Sequence, residues 1–279
     1  MVFASGGRKL FSGLVDANMP PGPTEQQDIG VTDLDTNRPL WRTQSIGRIF
    51  AVTASAALER LVLKSANSRN TTGELIVLDG RSGQTEGQIP LESDDGAVIQ
   101  LSPNGQLLAI GGYRGRISLV NMQSRDYSRR VLPGKYQSTQ RIEFSSDSQR
   151  LIIAHEEAGE SRREGAISIL DIRDLSVVAK QKFKSVPQTF AVSGDDALVA
   201  ARMGDESIDV WRLSTGEVTH LQPLVSVDKG ISPISHRAIA FSADAKYLFS
   251  LASFGRVLVA WDLAKVSWLV QCKRLGATP

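Results

Sequence analysis

The sequence predicts an all-β fold made of repeated units, because short apolar segments recur along its 279 residues. Each segment has apolar residues at its first and third positions and closes with a polar residue. The copies recur about every 46 residues, within the range of roughly 40–50 residues that propeller repeats show. Such alternation is what a strand packed inside a sheet requires. The six segments are Ile29–Asp33, Leu75–Asp79, Ile117–Asn121, Ile167–Asp171, Ile208–Arg212 and Leu258–Asp262.

A second repeated feature lies upstream of four of these segments. An apolar residue and a serine are followed, two residues after the serine, by Asp or Asn, residue types that favour tight turns through side-chain hydrogen bonds. This feature is expected to end the inner strand of each unit. The copies are Leu101–Asn104, Phe144–Asp147, Val192–Asp195 and Phe241–Asp244.

Together the two features divide each unit into four strands. In the third unit we expect strands at Ala97–Ser102, Leu107–Gly112, Ile117–Asn121 and Ser128–Leu132. In the sixth we expect Arg237–Ser242, Tyr247–Ala252, Val257–Asp262 and Ser267–Cys272. The predicted fold is therefore a β-propeller of about six four-stranded antiparallel blades, with seven as the alternative. Residues 1–279 are interpreted as one domain with approximate blades 1–44, 45–92, 93–135, 136–184, 185–228 and 229–279.

One segment also fits a helix. Residues Ala56–Leu63 could form an amphipathic helix on propensity alone. The repeat instead assigns Arg60–Ala66 to a strand, because this segment aligns with Arg150–Ile153 in a later unit. The strand is the prediction.

The first strand bears on how the propeller is completed. Phe3–Leu10 aligns with Phe144–Leu151 without a gap, so the sequence given opens inside an inner strand. Three arrangements follow: six blades closed without strand exchange, a ring completed by a strand, or part of a larger ring or multidomain chain.

Composition excludes several classes of protein. A single cysteine argues against a disulfide scaffold, and 32 Lys+Arg against 30 Asp+Glu argues against a specific nucleic-acid binder. No apolar run approaches the roughly 18 residues of a membrane span, and Met1–Pro21 has no signal-peptide pattern. A cytoplasmic location is expected.

The repeats resemble those of the WD40 family, and the resemblance covers essentially the whole chain. Its best copies are Ala240–Asp244 leading to Ala260–Asp262, and Ile208–Trp211 before Ser214–Gly216. The resemblance implies a β-propeller that serves as a non-enzymatic scaffold or sensor platform for protein partners, in a larger multidomain or multisubunit assembly.

This sequence departs from the WD40 pattern in ways that affect blade locking. Only the sixth unit keeps a Trp-Asp pair, at Trp261-Asp262, and Gly230-Ile231 stands nearest to the family's Gly-His pair. The Asp usual before the third strand is replaced by Arg114 or Phe254. We therefore expect the polar network that locks each blade to be missing, as in a divergent WD40-like or YVTN-type propeller.

Chemistry-bearing residues are few. The histidines, His155, His220 and His236, fall in different parts of the repeat, so no metal cluster, catalytic triad or cofactor site is predicted. The alternative is a lactonase-like hydrolase with a metal in the central channel, for which Glu143 is the clear acidic candidate.

Two charged segments have simple structural interpretations. Asp33–Asn37 begins like a calcium-binding EF-hand loop but has Arg38 where glycine is required, which favours an ordinary turn. Lys180, Lys182 and Lys184 alternate along a predicted outer strand. There, lysines discourage edge-to-edge pairing, with contact to an anionic surface as the alternative.

The longer loops are predicted to emerge on one face. They are Asp16–Gln27, Ala66–Gly73, Glu156–Gly165 and Val225–Ser235. Insertions gathered on one face mark a binding face, with neutral length drift as the alternative. Arg and aromatic residues anchor protein interfaces, so a protein or peptide is expected to dock there. The predicted partner-binding residues are Arg48, Tyr113, Arg114, Gln140, Gln188, Arg237, Phe254 and Arg256.

Overall fold

The computed structural model describes most of the chain. The described residues are 2–4, 8–13, 28–44, 48–55, 59–66, 73–91, 95–124, 127–131, 136–158, 163–204, 207–221, 239–252, 257–265 and 267–273. They form 24 β-strands in six four-stranded sheets and contain no helix. Accordingly, no membrane-spanning helix is found among them.

The first three sheets take their strands in chain order. The first contains β1 (Val2–Ala4), β2 (Lys9–Gly13), β3 (Asp28–Asp33) and β4 (Arg38–Gln44). The second contains β5 (Arg48–Ala54), β6 (Arg60–Ala66), β7 (Glu74–Asp79) and β8 (Thr85–Pro90). The third contains β9 (Asp95–Leu101), β10 (Leu107–Gly112), β11 (Arg116–Asn121) and β12 (Tyr127–Val131).

The other three sheets follow the same order. The fourth contains β13 (Tyr136–Phe144), β14 (Arg150–Ala158), β15 (Arg163–Asp171) and β16 (Val177–Phe183). The fifth contains β17 (Thr189–Val192), β18 (Leu198–Arg202), β19 (Ile208–Arg212) and β20 (Val218–Leu221). The sixth contains β21 (Ile239–Phe241), β22 (Tyr247–Ala252), β23 (Val257–Asp262) and β24 (Ser267–Lys273). Such sheets are the blades of a β-propeller, which confirms the predicted fold class.

Residues 60–66 form strand β6, as the repeat predicted, rather than a helix. The reason lies in packing on both faces of the second sheet. Leu61 and Leu63 join the core shared with the first sheet, whereas Val62 between them joins the core shared with the third. Alternation between two buried faces suits a strand, and burying each such side chain contributes roughly 1.5–3 kcal/mol.

The chain divides into two compact units, and each holds its apolar side chains in seams between successive sheets. One unit comprises Met1–Leu151 with Ile172–Leu175, and the other comprises Ile152–Asp171 with Ser176–Pro279. In the first unit, one core joins sheets one and two and another joins sheets two and three. In the second unit, separate cores join sheets four and five and sheets five and six.

The serine-containing turns after the inner strands share one hydrogen-bond pattern. In the fifth sheet, Ser193 Oγ donates to Asp195 Oδ1 at 2.6 Å and accepts from the Leu198 backbone N–H at 2.9 Å. The hydrogen bond from Ser193 lowers the pKa of Asp195 by stabilising the carboxylate. The same serine bonds recur at Ser102, Ser145 and Ser242. These bonds draw each serine into the turn, so β9 and β21 end one residue before the predicted Ser102 and Ser242.

The segment that begins like a calcium loop is a turn between β3 and β4. Asp33 Oδ1 accepts backbone hydrogen bonds from Asp35 and Thr36, both at 3.0 Å, and Lys9 forms an ion pair with the same carboxylate. The hydrogen bonds from Lys9 and Thr36 lower the pKa of Asp33 to about 2. The Asp33 carboxylate therefore stabilises the turn through these contacts.

Candidate functional site

Half of the predicted partner-binding residues can be placed with their side chains. Arg237, Phe254 and Arg256 lie outside the described residues. Arg48 begins β5 and pairs with Ala66, but its side chain is outside the described part. The remaining four are Tyr113, Arg114, Gln140 and Gln188.

Tyr113 lies at the end of the third sheet, directly after β10. It forms an isolated antiparallel bridge with Ser138 of β13, and its backbone carbonyl accepts a hydrogen bond from the Arg116 N–H at 3.1 Å. Its side chain is 57% exposed, the largest exposure among the described large hydrophobic side chains. The backbone is thus fixed on both sides while the aromatic ring faces solvent.

Arg114 occupies the tight turn that follows. Its φ is +56°, and Gly115 next to it has φ of +73°. A non-glycine residue in this left-handed region costs roughly 1 kcal/mol relative to glycine. Arg114 is exposed, so the turn presents a positively charged side chain at the residue that directly follows Tyr113.

Gln140 completes this cluster from the neighbouring strand. It is exposed on β13, and its Nε2 donates to Ser138 Oγ at 2.8 Å. Ser138 is the bridge partner of Tyr113, so it links Gln140 to Tyr113, which Arg114 directly follows. We name Tyr113, Arg114, Ser138 and Gln140 the Tyr113 patch.

Gln188 belongs to the other unit and has a structural environment. It is half-buried, and its backbone N–H donates to the Arg202 carbonyl at 2.9 Å. Its side-chain Nε2 lies 3.1 Å from where a Cβ on Gly204 would stand. The side chain is therefore packed against the Gly204 backbone.

Glu143, the acidic candidate for a channel metal, is engaged by an arginine on its own strand. Arg141 donates to Glu143 Oε1 through Nε at 3.0 Å and Nη2 at 2.7 Å. Positive charge at the carboxylate disfavours a cation there. No group of three or more His, Cys, Asp or Glu side chains arranged to hold a metal occurs among the described residues.

Two histidines have different partners, and His236 lies outside the described residues. His220, on the outer strand of the fifth sheet, has its Nδ1 2.5 Å from Asp209 Oδ1. His155 is 1% exposed in the fourth sheet, and its Nε2 lies 2.8 Å from the Oγ of buried Ser168. Burial disfavours the charged imidazole and lowers the pKa of His155 to about 4. The nearby Glu157 carboxylate acts in the opposite direction and offsets part of this effect.

Lys180 and Lys182 form ion pairs across the fourth sheet. Lys180 contacts Glu157, and the Lys182 ammonium lies 3.9 Å from Glu157 and 3.8 Å from Glu164. Lys184, next to the end of β16, is exposed. These two lysines of the outer strand thus pair with carboxylates on β14 and β15.

The polar network that locks each WD40 blade was expected to be missing, and the sixth sheet contains one buried hydrogen bond between side chains of neighbouring strands. Trp261 Nε1 on β23 donates to Ser250 Oγ on β22 at 3.2 Å. His155 and Ser168 form a comparable buried pair in the fourth sheet. These isolated pairs are not a network repeated in every blade, so the loss of that network stays a prediction. A comparison of the second strands of the units would have singled out Ser250, the polar residue two positions after buried Leu248.

Comparison with known proteins identifies the fold but not a family. No family model matches this chain, and no curated protein matches it. The β-propeller domain of Cps50 (Swd1) from Myceliophteria thermophila is similar, with a TM-score of 0.73 and 17% identity. The alignment covers 99% of this chain and 86% of that one. Hydrazine synthase from Kuenenia stuttgartiensis is also similar, with a TM-score of 0.69 and 14% identity over 95% of this chain and 76% of that one.

Proposed function

We propose that this protein is a non-catalytic β-propeller platform that binds a protein or peptide partner. The observation that carries the proposal is the Tyr113 patch, in which an aromatic ring and a guanidinium are exposed on a fixed backbone. Tyr and Arg are enriched among residues that dominate binding energy. A tyrosine held in place also loses little conformational entropy on binding.

The chemistry of the patch indicates the kind of segment it binds. The Tyr113 ring offers apolar contact area, and Arg114 offers paired donors that suit a carboxylate. The Gln140 side chain adds amide groups that can bond a peptide backbone. The preferred partner is thus a segment that combines an acidic and an apolar side chain. A cytoplasmic location and a WD40-like ancestry stay predictions, as does the interpretation of the chain as one domain in a larger assembly.

A peptide-display selection tests this function. A library of random peptides is selected on the purified protein, and enriched peptides are then titrated against variants. Tyr113→Ala and Arg114→Gly should each weaken binding about tenfold or more, consistent with hot-spot losses. Arg114→Gly is useful because glycine relieves the left-handed backbone, so the variant should fold at least as well.

Leu40→Ala is the matched control, because Leu40 is an exposed apolar side chain in the same unit and outside the patch. It should bind the selected peptides like the wild type. Selection of no peptide, or equal binding by all three variants, would contradict the proposal.

The enzyme alternative has one supporting fact, the similarity to hydrazine synthase, and at 14% identity this concerns the fold alone. The Arg141–Glu143 pairing weakens the case for a channel metal. Elemental analysis of the purified protein tests the alternative directly. A stoichiometric metal that is lost in Glu143→Gln would favour the hydrolase.

A further inference from the structure

A turn of the first compact unit carries a chemically reactive pair of residues. Asn104 is exposed in the turn that follows β9, and it is the only asparagine of the sequence that is followed by glycine. An asparagine before glycine loses its side-chain amide more readily than other asparagines, because glycine has no Cβ to keep its backbone nitrogen away from the asparagine side chain. The sequence thus singles out Asn104, and the contacts of the turn decide which product the fold can hold.

The Asn104 side chain closes this turn through its oxygen atom. Ser102 Oγ donates to Asn104 Oδ1 at 2.7 Å, and the Gln106 backbone N–H donates to the same atom at 3.0 Å. The side-chain nitrogen of Asn104 makes no hydrogen bond to any described residue. Loss of the amide would therefore remove the one atom of the side-chain amide on which the turn does not depend.

The other serine turns already contain the acid at this position. Asp147, Asp195 and Asp244 each accept a hydrogen bond from the serine two residues before them, at 2.6 Å in every case. This bond lowers the pKa of each aspartate by stabilising the carboxylate. An aspartate at position 104 would accept the same bond from Ser102, and the bond would then be charge-assisted.

One backbone hydrogen bond controls how fast Asn104 can react. The Gly105 N–H donates to the Ser102 carbonyl at 2.8 Å, which keeps the nitrogen from attacking the side chain while the turn is closed. Exposed turns open far more often than a whole domain unfolds. Reaction at Asn104 is therefore expected to be slow, but it does not require unfolding of the third sheet.

We propose that Asn104 is a modification site at which the folded protein converts asparagine to aspartate. The Gly105 nitrogen attacks Asn104 Cγ, its proton passes through water to the side-chain nitrogen, and ammonia leaves as a cyclic imide forms. Water then adds at Cγ and breaks the bond from Cγ to the Gly105 nitrogen, which takes up a proton. The net reaction consumes one water, releases one ammonia and involves no oxidant or reductant.

The turn also determines which imide carbonyl is opened. Water attack at Cγ gives aspartate, whereas attack at the main-chain carbonyl gives isoaspartate, whose backbone is longer by one carbon. Ser102 donates to the oxygen on Cγ and so polarises that carbonyl towards attack. Aspartate is therefore the expected main product in the folded protein.

Peptide mapping of the purified protein tests this conversion. The folded protein is held at body temperature and mildly alkaline pH for several weeks, and tryptic digests are analysed by mass spectrometry. The peptide of residues 82–114 should gain the mass difference between an amide and an acid at Asn104, with aspartate exceeding isoaspartate. Gly105→Ala should slow the conversion about tenfold or more, because a Cβ hinders the attacking nitrogen. This variant should keep the turn, since Ala245 has φ of +55° at the equivalent position.

Asn121 is an internal control in the same unit. It is exposed, and its Oδ1 also accepts two backbone hydrogen bonds, but the next residue is Met122. Its tryptic peptide, residues 117–125, should stay unchanged while Asn104 converts. Conversion of Asn104 no faster than that of Asn121 would overturn the proposal, as would isoaspartate as the main product.

Asn104→Asp carries the product from the start and tests whether the turn holds it. The variant should melt at the wild-type temperature or about 1–2 °C above it, because the bond from Ser102 becomes charge-assisted. A melting temperature lower by more than about 5 °C would show that the turn rejects the carboxylate, and would overturn the proposal even if Asn104 reacts.

Discussion

The fifth and sixth sheets each bury a tryptophan on their third strand, but the two indole N–H groups differ in hydrogen bonding. Trp211 on β19 and Trp261 on β23 are 4% and 3% exposed, and each pairs with the second strand of its sheet, at Val199 and Leu248. Trp261 donates its indole N–H to Ser250. No acceptor for the Trp211 N–H is found in the described part of the chain.

A single residue explains the difference. Ser250 lies two residues beyond Leu248, and the matching residue beyond Val199 is Ala201, which is fully buried. A methyl group cannot accept a hydrogen bond, so the fifth sheet holds an unsatisfied donor that costs about 1–3 kcal/mol. Packing thus selects the large ring in both sheets, whereas the residue on the adjacent strand decides whether its N–H is paired.

The largest expected effect concerns His155, whose buried imidazole extends the comparison to a group that can gain a charge. Its pKa of about 4 in the folded protein lies below the ordinary 6.5, because burial disfavours the imidazolium. Between these values the unfolded chain binds a proton that the folded chain does not. Stability is therefore lost as pH falls from 6.5 to 4, by up to about 3 kcal/mol.

Urea unfolding at pH 7 and pH 4.5 measures this loss. His155→Gln should remove about 2–3 kcal/mol of the difference between the two pH values, since the amide does not titrate. Ser250→Ala, which removes a buried hydrogen bond between groups that do not titrate in this range, is the control and should lower stability by similar amounts at both pH values. Equal pH dependence in wild type and His155→Gln would show that this ring is protonated in the folded state.

The next largest effect on stability is expected when the tryptophan of the sixth sheet loses its hydrogen-bond acceptor, as in the fifth sheet. Ser250→Ala should destabilise the protein by about 1–2 kcal/mol, because the buried Trp261 N–H loses its acceptor. Adding Trp261→Phe to this variant should cost less than Trp261→Phe in the wild type, since the bond is already absent. Additive losses in urea unfolding would show that the two side chains are not coupled.

The smallest expected effect is the reverse conversion of the fifth sheet. Ala201→Ser places a hydroxyl where the Trp211 N–H can reach it, and should stabilise the protein by about 0.5–1 kcal/mol. Ala200→Ser, on the same strand but the opposite and apolar face, should instead destabilise it by about 1–3 kcal/mol. Thermal melts of the two variants should therefore move in opposite directions; two downward shifts would contradict the proposed geometry around Trp211.

Several residues of the candidate site could be predicted from the sequence, but the contacts that link them could not. Tyr113 and Arg114 follow from their places after a strand and in a turn, which the repeat supplies, whereas Gln140, expected at the start of an inner strand, lies in the middle of β13. Their linkage through Ser138 depends on a bridge between residues of neighbouring sheets, and no local pattern encodes it. Gln188 illustrates the limit, because the side chain of this predicted partner-binding residue is packed on the Gly204 backbone.

The four-stranded units and the turns within them follow from the amino-acid sequence alone. These depend on side-chain alternation and on bonds that span only a few residues, such as Ser193 with Asp195 and Leu198. Which buried polar atoms are paired depends instead on how the strands are aligned, because Trp261 and Ser250 meet through the register of two strands. The register likewise aligns Ala240, Phe249 and Ala260 into one apolar row. Hydrogen bonds within a turn follow from residues that are close in sequence, whereas contacts across strands and sheets form only when the strands are aligned.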